Sequence, residues 1–307
     1  MNRRTAILIG ITATAVAGVA GGRWLAGRDT RAMRSEKQIT RDRDFDWSAF
    51  LRDWNERVKL GVAQMLVQHG IGGLPARGIA KHIQSQTQDA RVLELLQPIE
   101  GSVTSIEGIH ELIREGQDRL SELSERVDLR HLVAYEWEVI RNGGLSFGRA
   151  EAADIQRLES RLGVSLPPSY KAFLGVSNGW LMWSSRLVPV GDVQRFGEKD
   201  PEYVRDWDIA PSEREPTDVE YYKYGAEQLP YNIRTRYLRD CLLISTPVTE
   251  VNERLLLNPH VQFDDGEWEA WLMAPWLAGA VRFQSFVELM QVLRRKDKEW
   301  WTPTSAR

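Results

Sequence analysis

Residues 158–179 read LESRLGVSLPPSYKAFLGVSNG, and this stretch decides the fold of the C-terminal half of the chain. Apolar side chains at helical spacing on both sides of Gly163 predict two short helices, because glycine readily adopts the positive φ that ends a helix. Pro167-Pro168 opens the second helix, since proline is tolerated in the first helical turn. Asn178-Gly179 ends that helix for the same conformational reason as Gly163.

Beyond this helical pair the pattern changes to short apolar runs separated by Gly, Pro, Asn and Asp clusters, which predicts strands. Asp264-Asp265-Gly266 predicts a tight turn between two of them, and the capping box Ser285-Phe286-Val287-Glu288 begins a closing helix. The elements together indicate an α+β domain with helices on one face of an antiparallel sheet. The predicted strands are Leu187–Val190, Tyr221–Tyr224, Cys241–Ser245, Arg254–Leu257, Trp268–Met273 and Val281–Phe283.

Two sets of residues carry a resemblance to a known family. The first set is Glu159-Ser160-Arg161-Leu162-Gly163, Leu166-Pro167, Tyr170, Phe173, Leu174 and Asn178-Gly179. The second set is Tyr222-Lys223-Tyr224-Gly225, Glu227-Gln228, Leu257-Asn258-Pro259, Gly266-Glu267-Trp268-Glu269-Ala270-Trp271 and Ser285-Phe286. In order and spacing the first set resembles the signature of the SUKH superfamily, and the second resembles a bacterial subgroup of it. The resemblance covers about residues 131–297.

The SUKH superfamily includes the Smi/Knr-type fungal cell-wall assembly regulators and many bacterial toxin-immunity proteins. The resemblance therefore implies a SUKH-like antiparallel sheet with flanking helices and a non-enzymatic domain that binds a protein, such as a cognate toxin, in immunity or regulation. The alternative is a scaffold or regulator of cell-envelope assembly that senses a ligand, for example a glycan. Most residues of the signature are those that helix ends require, so they indicate the fold better than the ligand.

Composition and motifs exclude several other functions. The formal net charge of −3 gives no electrostatic reason to expect nucleic acid as a partner, because phosphate binding needs a concentrated basic face. The single cysteine, Cys241, excludes an intrachain disulfide and lies in an apolar run that is predicted to be buried. No phosphate loop, dinucleotide fingerprint or nucleophile elbow appears, and the histidines lack metal-ligand spacing. We therefore expect no catalytic residue, metal or cofactor.

Acidic and aromatic side chains near the predicted turn are candidates for partner binding. Alternation along the strand Trp268–Met273 places Trp268 and Trp271 on opposite faces, so one of them is expected to line a groove. Large aromatics beside carboxylates commonly anchor interfaces, and an acidic surface would attract a basic partner such as a nuclease toxin. Core packing is the alternative for each tryptophan. The predicted binding residues are Trp180, Trp183, Asp264, Asp265, Glu267, Trp268, Glu269 and Trp271.

Residues 1–27 predict a transmembrane anchor or a signal segment. Thr5–Gly22 contains 18 residues without a charge, close to the length of a membrane span. Two arginines precede this run, whereas seven basic residues follow it up to Arg43, so the positive-inside rule predicts an anchor with the bulk of the chain in the cytoplasm. The alternatives are export, with cleavage of a signal peptide after Ala15-Val16-Ala17, an anchor with the bulk of the chain outside, and a helix that does not enter a membrane.

Residues 28–130 predict a basic linker followed by a helical stalk. An amphipathic pattern from Trp47 to Leu66 should end near Gly70. A second pattern alternates steps of three and four residues up to Val127, which is a heptad period, and its continuous helix should start near Ser102 or Ser105. This helix forms either a coiled coil, as in a homodimer, or an intramolecular contact with the first helix. Residues 298–307 are predicted to be a C-terminal tail.

Overall fold

The computed structural model describes residues 34–73, 77–129, 132, 134–207, 215–248 and 252–301. The predicted anchor or signal segment, Thr5–Gly22, lies outside these residues. Within them, no helix combines the length and the apolar character that a membrane span needs. The last helix continues to Trp301, so the first four residues of the tail predicted at 298–307 belong to that helix. The rest of the predicted tail lies outside the described residues.

Helices make up the N-terminal half. The helix Trp47–His69 follows the cap Asp46, whose side chain accepts the Ala49 N–H at 2.9 Å, and ends at Gly70 as predicted. Gly70 has a φ of 67°, and a Cβ there would lie 2.2 Å from the Gln97 carbonyl oxygen, so only glycine fits. The helices are α1 (Glu36–Arg43), α2 (Trp47–His69), α3 (Arg77–Gln86), α4 (Ala90–Leu95), α5 (Ile106–Arg126) and α6 (Tyr135–Asn142).

Helix α5 is the predicted heptad helix, and it packs within the chain on α2 and α6. At Gly116 a Cβ would lie 3.0 Å from Leu66 and 3.4 Å from Ile140, so the absence of a side chain lets the three helices approach closely. The intramolecular alternative is therefore confirmed. The coiled coil and a homodimer through this stripe are not supported, because α2 and α6 already cover its positions from Ile109 to Leu123. The covered side chains are Ile109, Leu112, Ile113, Gly116, Leu120 and Leu123.

The C-terminal half begins with the predicted helical pair, which Gly163 separates with a φ of 66°. The pair is α7 (Ala152–Leu162) and α8 (Pro168–Leu174). The strands are β1 (Trp180–Leu181), β2 (Ser185–Leu187), β3 (Gln194–Arg195), β4 (Leu242–Leu243), β5 (Ser245–Pro247), β6 (Arg254–Gln262), β7 (Trp268–Met273) and β8 (Ala280–Phe283). The remaining helices are α9 (Phe196–Lys199), α10 (Pro201–Trp207), α11 (Asp218–Tyr221) and α12 (Phe286–Trp301).

The strands form two antiparallel sheets with the orders β1-β2-β5 and β3-β4-β6-β7-β8. Asp264-Asp265-Gly266 forms the predicted turn between β6 and β7, and Gly266 has a φ of 82°. The strand predicted at Tyr221–Tyr224 is wrong. A capping box between Thr217 and Glu220 starts α11, which includes Tyr221, and residues 222–224 follow it as a turn and irregular chain.

Strand β8 lies at the edge of the larger sheet, and a loop covers that edge. The Gln228 side-chain amide accepts the Arg282 N–H at 2.7 Å and donates to the Arg282 carbonyl at 3.1 Å. The Ala280 N–H donates to the Pro230 carbonyl at 2.9 Å. Gln228 therefore takes the place of a neighbouring strand's peptide group and blocks edge-to-edge pairing.

One continuous apolar core joins the two halves of the chain. The ring of Trp47 lies 5.4 Å from Phe173 and 5.5 Å from Phe286, and Trp54 lies 5.6 Å from Trp180. The residues predicted as a stalk are thus a helical layer on the sheet domain. A second apolar cluster lies on the opposite face of the five-stranded sheet and includes Phe196, Tyr221, Cys241, Leu256 and Trp271.

A buried carboxylate, Asp297 of α12, ties the helical layer to the sheets. Its Oδ2 accepts the Trp54 indole N–H at 2.9 Å and the Tyr135 hydroxyl at 3.2 Å, and its Oδ1 accepts the Trp183 backbone N–H at 3.3 Å. Burial raises the pKa of Asp297 from 3.8 to about 6, although these hydrogen bonds oppose the rise.

The raised pKa of Asp297 predicts a pH-dependent stability. Between about pH 4 and pH 6 the Asp297 carboxyl stays protonated in the folded chain but is ionised in the unfolded chain. As the pH rises through that interval, the free energy of unfolding should therefore fall by about 3 kcal/mol. Below that interval the contribution of Asp297 is fully present, and above it the contribution is lost. Urea titrations at several pH values should show a weaker fall for Asp297→Asn; identical pH profiles would contradict the assignment.

Candidate functional site

The predicted binding tryptophans lie inside the protein. Trp180, Trp268 and Trp271 are 1%, 1% and 0% exposed, respectively. Alternation along β7 is as predicted, because Trp268 belongs to the main core and Trp271 to the cluster on the other face. The prediction that one of the two lines a groove is wrong, since the sheet is covered on both faces.

Glu267 is also buried, and it caps helix α8 from the neighbouring hairpin. Its two carboxylate oxygens accept the Ser169 backbone N–H at 2.7 Å and the Ser169 hydroxyl at 2.6 Å. Negative charge is favourable at this end of a helix. Burial raises the pKa of Glu267 despite the hydrogen bonds from Ser169. Its position is that of a structural cap with no access to a partner.

Glu269 is the centre of a fully buried polar network on the outer face of the larger sheet. The groups that donate to its carboxylate are the hydroxyls of Tyr221 (2.6 Å) and Tyr224 (2.8 Å), the Trp271 indole N–H (2.6 Å), the Asn258 amide (3.0 Å) and the Arg282 guanidinium (3.2 Å). Burial and the charge of Glu269 raise the pKa of both tyrosines, which keeps them neutral donors. The carboxylate is therefore saturated with donors.

Arg282 completes this network as the counter-charge of Glu269. Its guanidinium carbon lies 4.2 Å from the centre of the Tyr221 ring and 5.3 Å from that of Tyr224, within the range of cation–π attraction. It also donates to the Lys223 carbonyl at 3.2 Å. The network holds residues 221–228 against the sheet, so its evident role is structural.

A different set of apolar side chains is exposed. Leu229, Tyr231 and Trp276 are 45%, 61% and 49% exposed, and we call them the aromatic surface. They lie on two loops that touch, because a Cβ at Gly279 would lie 2.0 Å from the Pro230 carbonyl oxygen. The Glu269 network and the Gln228 amide fix the first loop, so these side chains project from a supported backbone.

The chain beside the aromatic surface is acidic. Residues 215–231 contain four carboxylates and one lysine, Lys223. Arg234 pairs with Asp218 and Arg236 with Glu215, whereas Glu227 is exposed two residues before Leu229. Leu229, Tyr231 and Trp276 are therefore exposed near the carboxylate of Glu227, whereas the binding residues predicted from the sequence lie elsewhere on the domain.

Residues 149–291 match the SMI1 / KNR4 family (SUKH-1). They belong to the SUKH superfamily. This confirms the resemblance seen in the sequence, and both the Glu269 network and the aromatic surface lie within the matched residues. No curated protein and no solved structure matches the chain.

The residues that identify the SUKH domain meet in space. Tyr224 of one motif donates to Glu269 of β7, and Gln228 of another accepts the Arg282 N–H of β8. Sequence reasoning finds these motifs but misses Leu229 and Tyr231. The sequence does contain a signal for these exposed side chains. Leu229 and Tyr231 flank Pro230, and Trp276 follows Pro275, so each is a large apolar residue beside a proline and outside any periodic apolar run.

Of the remaining predicted binding residues in the SUKH domain, Trp183 is half-buried and Asp265 is partly covered by an ion pair with Arg34 at 3.3 Å. Asp264 alone of the predicted eight is exposed. The acidic, aromatic-lined surface predicted around residues 264–271 is therefore not formed by this fold.

The described residues include no group of three or more His, Cys, Asp or Glu side chains that could hold a metal ion. His260 pairs with Asp240 at 2.8 Å and stacks on Tyr237, with ring centres 4.7 Å apart. Cys241 is buried as predicted, and burial raises the pKa of its thiol, which disfavours a nucleophilic thiolate.

Proposed function

We propose that this protein is a non-enzymatic binding protein of the SUKH type that acts in toxin immunity or regulation. It binds a protein partner through the aromatic surface, and its N-terminal segment holds it at the cytoplasmic face of a membrane. Membership of the SUKH superfamily supports the class of function. The exposure of Leu229, Tyr231 and Trp276 on one supported surface carries the assignment of the binding site.

The proposed partner presents apolar groups beside basic side chains. Tryptophan and tyrosine are the residues most enriched among binding hot spots, where one side chain can contribute more than about 2 kcal/mol. The carboxylate of Glu227, exposed two residues before Leu229, favours a positively charged group on the partner. A toxin with an electropositive groove for nucleic acid has this chemistry.

The membrane tether rests on the pattern of the N-terminal sequence. An uncharged run of 18 residues is followed by a clear excess of basic residues. This pattern is typical of an anchor that leaves the following domain in the cytoplasm. The tether would concentrate the SUKH domain where a toxin enters the cell.

Binding is tested with the double variant Tyr231→Ala/Trp276→Ala in cross-linking pull-downs from the native cell. The matched control is Leu60→Ala/Ile106→Ala, which removes two exposed apolar side chains from the helical layer, 36% and 59% exposed. We expect the wild type and the control to recover the same basic protein, and the double variant to recover at least about tenfold less.

Equal recovery by the double variant would show that the partner binds elsewhere. Recovery of no protein, with retention on cell-wall glycan instead, would favour the alternative of envelope sensing. Because all four side chains are exposed, the two double variants should keep the unfolding free energy of the wild type to within about 1 kcal/mol.

A further inference from the structure

Tyr231 of the aromatic surface lies in a β-turn that begins at Leu229. The Asn232 N–H donates to the Leu229 carbonyl at 2.9 Å, so Pro230 is the second residue of the turn and Tyr231 the third. Proline fixes its own φ and is favoured at the second position of a β-turn. The exposed tyrosine ring is therefore carried by stiff backbone.

Trp276 lies in a second β-turn of the same kind. The Leu277 N–H donates to the Ala274 carbonyl at 2.9 Å, so Pro275 is the second residue of this turn and Trp276 the third. The indole is exposed, as the tyrosine ring is. Each turn thus presents one aromatic ring directly after a proline.

The two turns are in direct contact, and we call residues 229–232 and 274–277 the twin turns. A Cβ at Gly279 would lie 2.0 Å from the Pro230 carbonyl oxygen and 3.2 Å from the Tyr231 Cα. The chain that follows the second turn therefore lies directly against the first turn. This backbone contact holds the two exposed rings on one surface.

Glu227 supplies the charge beside the twin turns. It is exposed, and the other residues from 227 to 232 and from 274 to 279 are uncharged. The nearest basic residues in the sequence are either buried and paired with carboxylates or half-buried, and they are Arg234, Arg282 and Lys223. The surface therefore suits a mainly apolar ligand that carries positive charge near one end.

The edge of strand β8 beside the twin turns is closed, which excludes one way of binding a peptide. A segment that adds a strand needs free N–H and carbonyl groups at a sheet edge, but Gln228 and the Pro230 carbonyl already pair with the β8 backbone there. An amphipathic helix needs an apolar groove along several of its turns, which is longer than two turn tips provide. A polyproline II segment needs neither, because its backbone makes no internal hydrogen bonds and its proline rings dock on aromatic side chains.

We propose that the twin turns bind a proline-rich segment of the partner in the polyproline II conformation, with a basic residue of that segment beside Glu227. This inference deepens the proposed function, because it rests on the aromatic surface as the binding site. Proline rings of the segment pack on the rings of Tyr231 and Trp276. Both the segment and the turns are stiff before they meet, so little conformational entropy is lost on binding.

The ligand class is tested by fluorescence anisotropy with the full-length chain in mild detergent and three labelled peptides of about twelve residues. The first peptide is proline-rich and ends in two arginines. The second has glycine and serine in place of the prolines, and the third has glutamates in place of the arginines. We expect the first peptide to bind at least about tenfold more tightly than the second, and several-fold more tightly than the third.

Variants of the twin turns locate the binding site of the peptide. Tyr231→Ala and Trp276→Ala should each weaken binding of the first peptide at least about tenfold, because each removes an aromatic anchor. Glu227→Gln should reduce the preference over the glutamate peptide but keep the preference over the glycine–serine peptide. The matched control is Val219→Ala, which removes an exposed apolar side chain of α11 outside the twin turns and should bind like the wild type.

The outcomes separate this inference from the proposed function. Equal binding of the proline-rich and glycine–serine peptides, or undiminished binding by both ring variants, overturns the proline-rich ligand. If the pull-down still recovers a basic protein that depends on Tyr231 and Trp276, the proposed function stands without it. Binding of a chito-oligosaccharide instead of any peptide, lost in both ring variants, would overturn both proposals. If both hold, excess unlabelled proline-rich peptide should release the recovered protein.

Discussion

Replacing Glu269 with leucine is expected to lower the free energy of unfolding by about 3–5 kcal/mol, because it leaves a buried guanidinium without its counter-charge. Glu269 and Arg282 are both fully buried, and the carboxylate also accepts hydrogen bonds from Tyr221, Tyr224 and Asn258. The leucine leaves all of these donors unpaired as well.

Arg282→Met should be less damaging than Glu269→Leu. A carboxylate left alone in the interior can be neutralised by binding a proton, whereas a guanidinium cannot lose one under ordinary conditions. In Arg282→Met the carboxylate also retains the hydrogen bonds from both tyrosines, Asn258 and Trp271. Comparing the loss of unfolding free energy in the two variants thus shows which of the two buried charges is more costly when its partner is removed.

Urea denaturation of the two variants measures this effect, with Glu215→Gln as the control. Glu215 pairs with Arg236 at the surface, and losing such a pair changes stability by about 0–1 kcal/mol. Limited proteolysis should show early cleavage between residues 215 and 240 in Glu269→Leu, because the network no longer holds that segment to the sheet. A Glu269→Leu variant as stable as Glu215→Gln would contradict the structural role of the network.

Local signals in the sequence predict much of the SUKH domain. Gly163 ends its helix, Asp264-Asp265-Gly266 makes the turn, and Trp268–Met273 is a strand with the expected alternation. Each of these features depends on a few neighbouring residues: a positive φ, a turn dipeptide or a period of two. Such constraints are readable without knowing what the segment packs against.

The stretch from Tyr221 to Tyr224 shows where local signals fail. Tyrosine favours strands, yet the hydroxyls of Tyr221 and Tyr224 both reach Glu269, 48 and 45 residues away. Sequence propensity contains no information on that long-range contact, which stabilises an irregular backbone. The capping box at Thr217 is a competing local signal for a helix, and it is the one that the fold follows.

The predicted binding site fails for a related reason. Alternation shows that Trp268 and Trp271 face opposite ways, but whether a face is open depends on the rest of the chain. The outer face of the sheet is covered by side chains from the short helices, including Phe196 of α9 and Tyr221 of α11. Likewise, the heptad pattern of α5 shows that the helix packs on something without showing that the partner is α2.

Trp54→Ala is expected to lower the free energy of unfolding of the whole chain by about 3–5 kcal/mol. Trp54 belongs to the helical layer, yet its ring lies 5.6 Å from Trp180 and its indole N–H donates to Asp297 at 2.9 Å, both in the C-terminal half. The substitution leaves a cavity between the layers and removes one donor from a buried carboxylate. The matched control is Trp276→Ala, which removes an exposed ring.

Hydrogen exchange of backbone amides distinguishes an integrated layer from a separate stalk. If the helical layer is part of one core, amides of α2 and of β7 should lose protection together in Trp54→Ala, and a single urea transition should move to lower concentration. If the layer were an independent stalk, β7 would keep its protection while α2 opened. Joint loss would mean that the SUKH domain depends on residues outside the family match for its stability, so the helical layer and the aromatic surface belong to one folding unit.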